Sequence, residues 1–265
     1  MKLTLKSLLL LLIVNSLISC ADDDSNEIDN TNYFPLVIGN SWDYQNSITV
    51  NGNTQNGGET LMISGSTGTE PERFSFQQSN IELPGTTTSV ISAGEIYKEN
   101  GQNIVLDSNL EFNTDMIDLS LPIENVTVYN ANTNEGDQFF TETGEIEQNV
   151  NGFPVTINYE IASINGGFVP SMNIEGETYN NIYISELEVN MSISVFLVFS
   201  EFTILADQNV TTVTNYFAKD IGLIKSMVST ELIFEDIPDQ VGFELEDISS
   251  TSTQNIIDYQ VELDL

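Results

Sequence analysis

The clearest fold signal in the chain is Tyr33-Phe34-Pro35-Leu36-Val37-Ile38-Gly39-Asn40-Ser41-Trp42-Asp43-Tyr44. Pro35 and Gly39 predict a turn, because proline fixes φ and glycine accepts backbone angles that other residues avoid. Trp42 and Tyr44 lie two residues apart, so in a β-strand both side chains point to the same face. We therefore expect a turn followed by the first strand, with a buried indole that seals a core.

Strand patterns dominate the rest of the chain. Apolar residues alternate with polar ones at Val155, Ile157, Tyr159 and Ile161, and again at Ile257, Tyr259, Val261, Leu263 and Leu265. Between Ile182 and Val195 the apolar phase shifts by one residue, which predicts a β-bulge near Ser185 or Glu186. No segment has a sustained helical stripe, so we predict an all-β, mainly antiparallel fold with few or short helices.

Turn residues fit the same fold class. Asn-Gly pairs, which favour tight hairpin turns, occur at 51–52, 100–101, 151–152 and 165–166. Two stretches, 115–121 and 196–202, have no clear pattern, and the second is apolar on consecutive residues, which is consistent with either a doubly buried strand or a short helix. The Asn-rich stretch 130–136 has the alternate spacing of a calcium loop, but Glu135 stands where such a loop needs glycine, so we favour a solvated turn.

The N-terminus has the pattern of a secretion signal. Lys2 and Lys6 precede an apolar run from Leu8 to Val14, which is much shorter than the ~20 residues of a membrane-spanning helix. The tetrad Leu17-Ile18-Ser19-Cys20 resembles the lipobox of bacterial lipoproteins, in which the cysteine thiol receives a diacylglycerol. The resemblance implies a signal peptide over 1–19 and a mature chain lipidated at Cys20, which is the single cysteine of the sequence.

An acidic segment separates this cysteine from the folded part. Residues 20–31 are polar and rich in aspartate, so we predict a flexible tether followed by a β-rich globular domain over 32–265. The acidic cluster is also similar to the surface-export signal of Bacteroidetes lipoproteins. We expect an outer membrane lipoprotein that faces either the periplasm or the cell exterior, and a flexible solvated linker explains the cluster equally well.

Composition excludes several function classes. Removal of Lys2 and Lys6 with the signal would leave four basic residues against 40 acidic ones, a formal charge of −36, so binding to nucleic acid is excluded. The absence of histidine removes the commonest general base and transition-metal ligand. We predict no cofactor, no metal site and no catalytic residue. Carboxylate chemistry is what survives, but 40 scattered acids identify no particular pair.

Three segments resemble a group of lipoproteins and secreted proteins of the Bacteroidetes whose function is uncharacterised. These are 33–44, with its Gly-Asn-Ser-Trp-x-Tyr motif; 176–182, Gly-Glu-Thr-Tyr-Asn-Asn-Ile; and 216–225, with Gly-Leu-Ile-Lys. Asp220 stands where that group usually has glycine. The resemblance implies an antiparallel sheet curved into a half-barrel or open barrel, reminiscent of periplasmic lipoprotein carriers whose concave face takes acyl chains.

Aromatic residues in these segments have two interpretations. Trp42, Tyr44, Tyr216 and Phe217 could form a surface on which a ligand stacks, whereas aromatic residues near strand ends are more often part of a core. Our leading hypothesis is a noncatalytic module that binds a partner or a hydrophobic or glycan ligand. The alternatives are a carboxylate-dependent glycoside hydrolase and a structural or adhesive surface component; the sequence does not indicate the oligomeric state.

Overall fold

The computed structural model describes residues 31–100, 103–113, 118–150, 153–197, 200–236 and 245–263. Cys20, the signal segment and most of the tether lie outside these residues. The described elements, in chain order, are β1 (Ser41–Val50), β2 (Asn53–Thr67), β3 (Arg73–Ser79), α1 (Thr86–Ala93), β4 (Glu95–Glu99), β5 (Asn103–Asn113), β6 (Asp118–Tyr129), β7 (Gln138–Val150), β8 (Phe153–Ile174), β9 (Glu177–Leu197), β10 (Ser200–Ala218), β11 (Gly222–Leu232) and β12 (Ile248–Gln260).

All twelve strands belong to one antiparallel sheet. Their order is β6-β5-β4-β3-β2-β1-β12-β11-β10-β9-β8-β7. Strands that follow one another along the chain are neighbours, except that β6 and β7 form the two edges of the sheet, and β12 joins the two halves by pairing with both β11 and β1. The sheet curls into a nearly closed barrel. This confirms the predicted all-β, mainly antiparallel class with a curved, barrel-like sheet and short helical content.

Side chains on the inner face form layers, and the lowest layer is aromatic. We call it the aromatic floor: Tyr33, Phe34, Trp42, Tyr129, Tyr183 and Phe217, all buried. Phe34 stacks on Trp42 with ring centroids 5.3 Å apart, and Tyr129 lies 5.3 Å from Tyr183 and 5.6 Å from Phe217. Such pairs contribute about 0.5–1.5 kcal/mol each beyond the area that they bury. The segment before β1 therefore closes one end of the barrel.

Two hydrogen bonds fix β1 to the start of β11, the next strand but one in the sheet. The Trp42 Nε1 donates to the carbonyl oxygen of Ile221 at 2.7 Å, and the Tyr44 hydroxyl donates to that of Leu223 at 2.8 Å. Gly222 lies between them with φ +117°, and a Cβ there would stand 3.0 Å from the indole nitrogen. Segments 33–44 and 216–225 are therefore in direct contact, although about 180 residues separate them.

The next layer is polar. One cross-strand row contains six buried residues that face each other in register from β8 to β1, which we call the polar belt: Asn165, Ser185, Asn215, Ser226, Gln254 and Asn46. Buried polar groups need partners, because an unpaired one costs about 1–3 kcal/mol. The belt therefore marks where other elements enter the barrel.

One of these elements is the end of β6, which packs on the inner face of β9. Ser185 Oγ donates to the carbonyl oxygen of Val128, and the Tyr183 hydroxyl donates to that of Asn130 at 3.0 Å. From β8, Asn165 Nδ2 donates to the carbonyl oxygen of Thr133 at 2.7 Å. At the floor end, the edge strand β6 and the turn after it are thus held to β9 and β8 by side chains that bind backbone carbonyl groups.

The structure corrects three details of the sequence interpretation. The predicted bulge in β9 is wrong, because the extra residue is Gly166 of β8, where Asn165 pairs with Ser185 and Gly167 pairs with Ile184. The Asn165-Gly166 pair is consequently not a hairpin turn. In β12 the inward residues are Ser252, Gln254 and Ile256, whereas Ile257 and Tyr259 are 49% and 40% exposed.

Other expectations hold. Asn51-Gly52 joins β1 to β2 with φ of 47° and 82°, as a tight hairpin turn requires. Val155, Ile157, Tyr159 and Ile161 are all buried, which confirms that alternation. Residues 130–136 form turns between β6 and β7. The 151–152 pair, Gly101 and parts of the two ambiguous stretches lie outside the described residues.

Replacement of Trp42 tests the aromatic floor. Trp42→Ala would leave a cavity against Phe34 and remove the bond to Ile221, so we expect the free energy of unfolding to fall by about 3–5 kcal/mol. Chemical denaturation measures this loss. Tyr259→Ala on the neighbouring strand removes a 40% exposed ring and should cost less than 1 kcal/mol. Equal losses in the two variants would contradict the floor as the main seal of the barrel.

Candidate functional site

An apolar cavity of about 340 Å³ lies above the polar belt. This is within the range of ~300–1,000 Å³ that is usual for small-molecule sites. Of the 25 described residues that line it, 19 are aliphatic or aromatic, and none is charged. The six polar ones are Thr86, Thr87, Thr211, Asn215, Thr230 and Ser250.

The cavity has a floor, side walls and a mouth. Phe34 and Phe217 of the aromatic floor form its base. Aliphatic side chains of β5, β6, β9, β10 and β11 form the wall, among them Leu106, Ile123, Leu187, Val213 and Val228. At the other end the lining includes Val50, which is 45% exposed. The cavity therefore meets solvent at the end of the barrel where β1 turns into β2.

The helix α1 supplies another part of the wall. Thr86, Thr87, Val90 and Ile91 all face the cavity, and Ile91 is buried. Eight residues are too few for a helix to be stable by itself, so α1 depends on its contacts with the barrel. The first turn provides those contacts, because its backbone N–H groups have no partners within the helix.

A buried carboxylate holds this first turn. Glu59 on β2 is 3% exposed and accepts hydrogen bonds from the backbone N–H of Gly85 at 3.0 Å and from the Thr88 hydroxyl. It also accepts from three side-chain amides on the sheet: Asn46 at 3.0 Å, Gln78 at 2.7 Å and Gln254 at 2.9 Å. An anion at a helix N-terminus is stabilised by the helix dipole and by these donors.

Gln254 of the belt completes the anchor. Its Oε1 accepts from the N–H groups of Thr87 at 3.0 Å and Thr88 at 3.3 Å, and Thr87 Oγ1 lies 2.6 Å from Ser226 Oγ. The approach is so close that a Cβ on Gly85 would collide with the Gln254 side chain. The arrangement makes α1 a fixed wall of the cavity.

Burial and the charge of Glu59 both change the pKa of the neighbouring Tyr44. Burial raises the pKa of Tyr44 well above its ordinary value, and the nearby Glu59 carboxylate raises that pKa further. Tyr44 therefore stays neutral and keeps its hydroxyl as the donor to Leu223. Tyr44 is the register partner of Glu59 in the β1–β2 pair, so the carboxylate that anchors α1 lies beside it.

The four residues predicted as a stacking surface occupy different places. Trp42 and Tyr44 are fully buried and bound to backbone carbonyl groups, and Phe217 is 4% exposed and lines the cavity. Tyr216 precedes it on β10 and faces the other side of the sheet, with Lys225 Nζ 5.8 Å from its ring centroid. The structure thus separates Tyr216 from the other three, and Phe217 is the one that a ligand in the cavity would touch.

Sequence reasoning missed α1, Glu59 and the belt. The available signal was a polar residue in phase with apolar neighbours: Asn46 follows Trp42 and Tyr44 at the same spacing, and Gln254 precedes Ile256. In a strand whose inner face is apolar, such a residue indicates a buried hydrogen-bond network.

A second, polar depression is lined by residues of β7, β8, β9 and β10. Three of its residues are acidic, namely Glu145, Glu160 and Asp207. Within the described ranges, no group of three or more Asp, Glu, His or Cys side chains is placed to hold a metal ion. Among the same residues, no helix has the length and apolar character needed to cross a membrane.

Comparison with protein-family models, with curated proteins and with solved structures finds no match to this chain.

The Glu59 anchor can be tested by one isosteric change. Glu59→Gln keeps the shape but turns an NH2 group toward donors, so we expect the free energy of unfolding to fall by about 1.5–3 kcal/mol. Chemical denaturation measures the loss, with the exposed Glu231→Gln as the matched control. If both variants unfold at the same denaturant concentration as the parent protein, Glu59 does not anchor α1.

Proposed function

We propose that this protein is an outer membrane lipoprotein, anchored through Cys20, that binds an apolar ligand with an extended hydrocarbon chain inside its barrel. The observation that supports this is the cavity lining, which is aliphatic and aromatic at 19 of 25 positions and uncharged at all of them. Each methylene moved from water into such surroundings contributes about 0.8 kcal/mol. A hydrocarbon chain matches this cavity, whereas a glycan would lose its hydrogen bonds to water there.

The place where the lipid-bearing tether would join the barrel agrees with this role. The described chain begins at the floor end, where the Asn32 carbonyl oxygen accepts a hydrogen bond from the N–H of Asp220 at 2.8 Å. The cavity mouth at Val50 is at the opposite end of the barrel. A protein tethered through residues 20–31 would therefore present its mouth away from its point of attachment.

The two alternatives receive less support. A glycoside hydrolase needs two carboxyl groups in one cleft, about 5–9.5 Å apart. No Asp or Glu is among the described residues that line the cavity, so a hydrolase site would have to lie elsewhere, as in the polar depression with Glu145, Glu160 and Asp207, and would leave the apolar cavity without a role. A structural or adhesive component would need no space inside the barrel, and a filled interior is what we would expect of it. The function that fits the cavity best is noncatalytic binding.

A variant that fills the cavity tests this function. Val228 lines the cavity and is 6% exposed, so Val228→Phe should occupy space that the ligand needs. We expect the uncharged probe N-phenyl-1-naphthylamine to bind the parent protein saturably, with fluorescence enhancement, and to bind Val228→Phe at least tenfold more weakly.

The control residue, Met227, lies next to Val228 on β11. Met227 is 42% exposed, so Met227→Phe adds an aromatic ring at the surface of β11 and should leave probe binding unchanged. Thermal unfolding of both variants establishes that they are folded. Saturable binding that is equally strong in Val228→Phe would place the probe outside the cavity and contradict the proposed function.

A further inference from the structure

Within the apolar cavity, one side chain stands out by its chemistry. Asn215 on β10 lines the cavity and is 8% exposed, yet its Oδ1 has no hydrogen-bond partner. It belongs to the polar belt, paired in register with Ser185 on one side and Ser226 on the other. An unpaired, buried carbonyl oxygen is unfavourable, because it has lost its hydrogen bonds to water and no protein donor replaces them.

Four other belt residues bind elements that enter the barrel. On one side of Asn215, Asn165 and Ser185 bind the backbone at the end of β6 and in the turn after it. On the other side, Ser226 and Gln254 bind α1. Each of these four side chains reaches an element that enters the barrel. Asn215 lies between the two elements, at the place where the cavity comes down to the belt.

Several other described residues have a buried polar atom without a hydrogen-bond partner, but none of them lines the cavity. Two examples, Ser252 Oγ and Asn46 Oδ1, belong to strands next to the helix anchor. Asn46, moreover, uses its Nδ2 to bind Glu59 and the carbonyl oxygen of Leu83. The remaining polar groups of the lining are weaker candidates; for example, Thr211 and Thr230 lie 3.1 Å apart, Oγ1 to Oγ1, and satisfy each other.

We infer that Asn215 is the polar contact for the ligand, and that the ligand is an uncharged amphiphile with a hydroxyl or amide group on its hydrocarbon chain. This inference rests on the proposed binding function. The carboxamide of Asn215 has one acceptor oxygen and an NH2 donor, so it can exchange hydrogen bonds with a group that both donates and accepts. The apolar wall would surround the rest of the chain.

The charges of the barrel explain why the bound group is neutral. The described basic residues are all outside the cavity: Arg73 forms an ion pair with Asp107, Lys98 binds the Asn32 side chain, Lys225 lies near the Tyr216 ring, and Lys219 is exposed. A carboxylate or phosphate beside Asn215 would therefore be buried without a counter-charge, which is strongly unfavourable.

A cycle of two proteins and two ligands tests the contact. The full chain and its Asn215→Leu variant are each titrated with 1-decanol and with decane, which differ by one hydroxyl group, by displacement of N-phenyl-1-naphthylamine. We expect the preference for decanol over decane to fall by about tenfold in Asn215→Leu, while decane itself binds at least as well. Decanoate, ionised at pH 8, should bind the parent protein more weakly than decanol.

Controls separate the failure of this inference from that of the proposed function. Asn209→Leu makes the same change at an exposed position of β10 and should preserve the preference for decanol. Asn215→Ala repeats the test without added apolar bulk and should also lose the preference. If neither the probe nor either ligand binds the parent protein, the proposed function fails. If they bind and the preference survives in both Asn215 variants, or decanoate binds best, the Asn215 contact alone is overturned.

Discussion

The buried carboxylate of Glu59 is the interaction on which the inside of the barrel depends. A charge removed from water must be met by donors, and here five of them converge from three strands and from the first turn of α1. Glu59 accepts from the N–H of Gly85 and from the Thr88 hydroxyl, while Gln254, which itself donates to Glu59, accepts from the N–H groups of Thr87 and Thr88. Sheet and helix are thus coupled through Glu59 and its partner Gln254, and this pair fixes the cavity wall that α1 forms.

The need of buried polar groups for hydrogen-bond partners also explains the layers above and below the polar belt. Polar residues on the inner face are tolerated where an entering element binds them, which places the belt at the level of α1 and of the end of β6. Below the belt, aromatic rings pack against one another. Above it, mainly aliphatic side chains line the cavity.

Much of the fold could be predicted from the sequence, because strands alternate strictly between two faces. Trp42 and Tyr44, or Val155 to Ile161, carry that alternation plainly. The prediction failed in β12, where Ser252, Gln254 and Ile256 face into the barrel and Ile257 is an extra residue opposite β1. An extra residue exchanges the two faces of a strand, and the apolar alternation from Ile257 onward gave no sign of the polar residues that face inward before it.

The site was less predictable than the fold for the same reason. The cavity is formed by residues from most of the strands and from α1, each of which is an ordinary core residue when seen alone. Asn215 is one asparagine among many in the sequence, and its role follows from its register beside Ser185 and Ser226. Pairing across the sheet, which the sequence does not specify locally, is what distinguishes it.

The most direct test of ligand binding inside the barrel is the observation of contacts between a bound chain and individual methyl groups. In protein labelled at its Ile, Leu, Val and Met methyl groups, bound 1-decanol should give intermolecular nuclear Overhauser effects to Ile91, Leu187 and Met191, which line the cavity. It should give none to Met227 and Ile257, which are exposed on the outer face. Contacts to the outer-face methyl groups without contacts to the cavity would contradict the account.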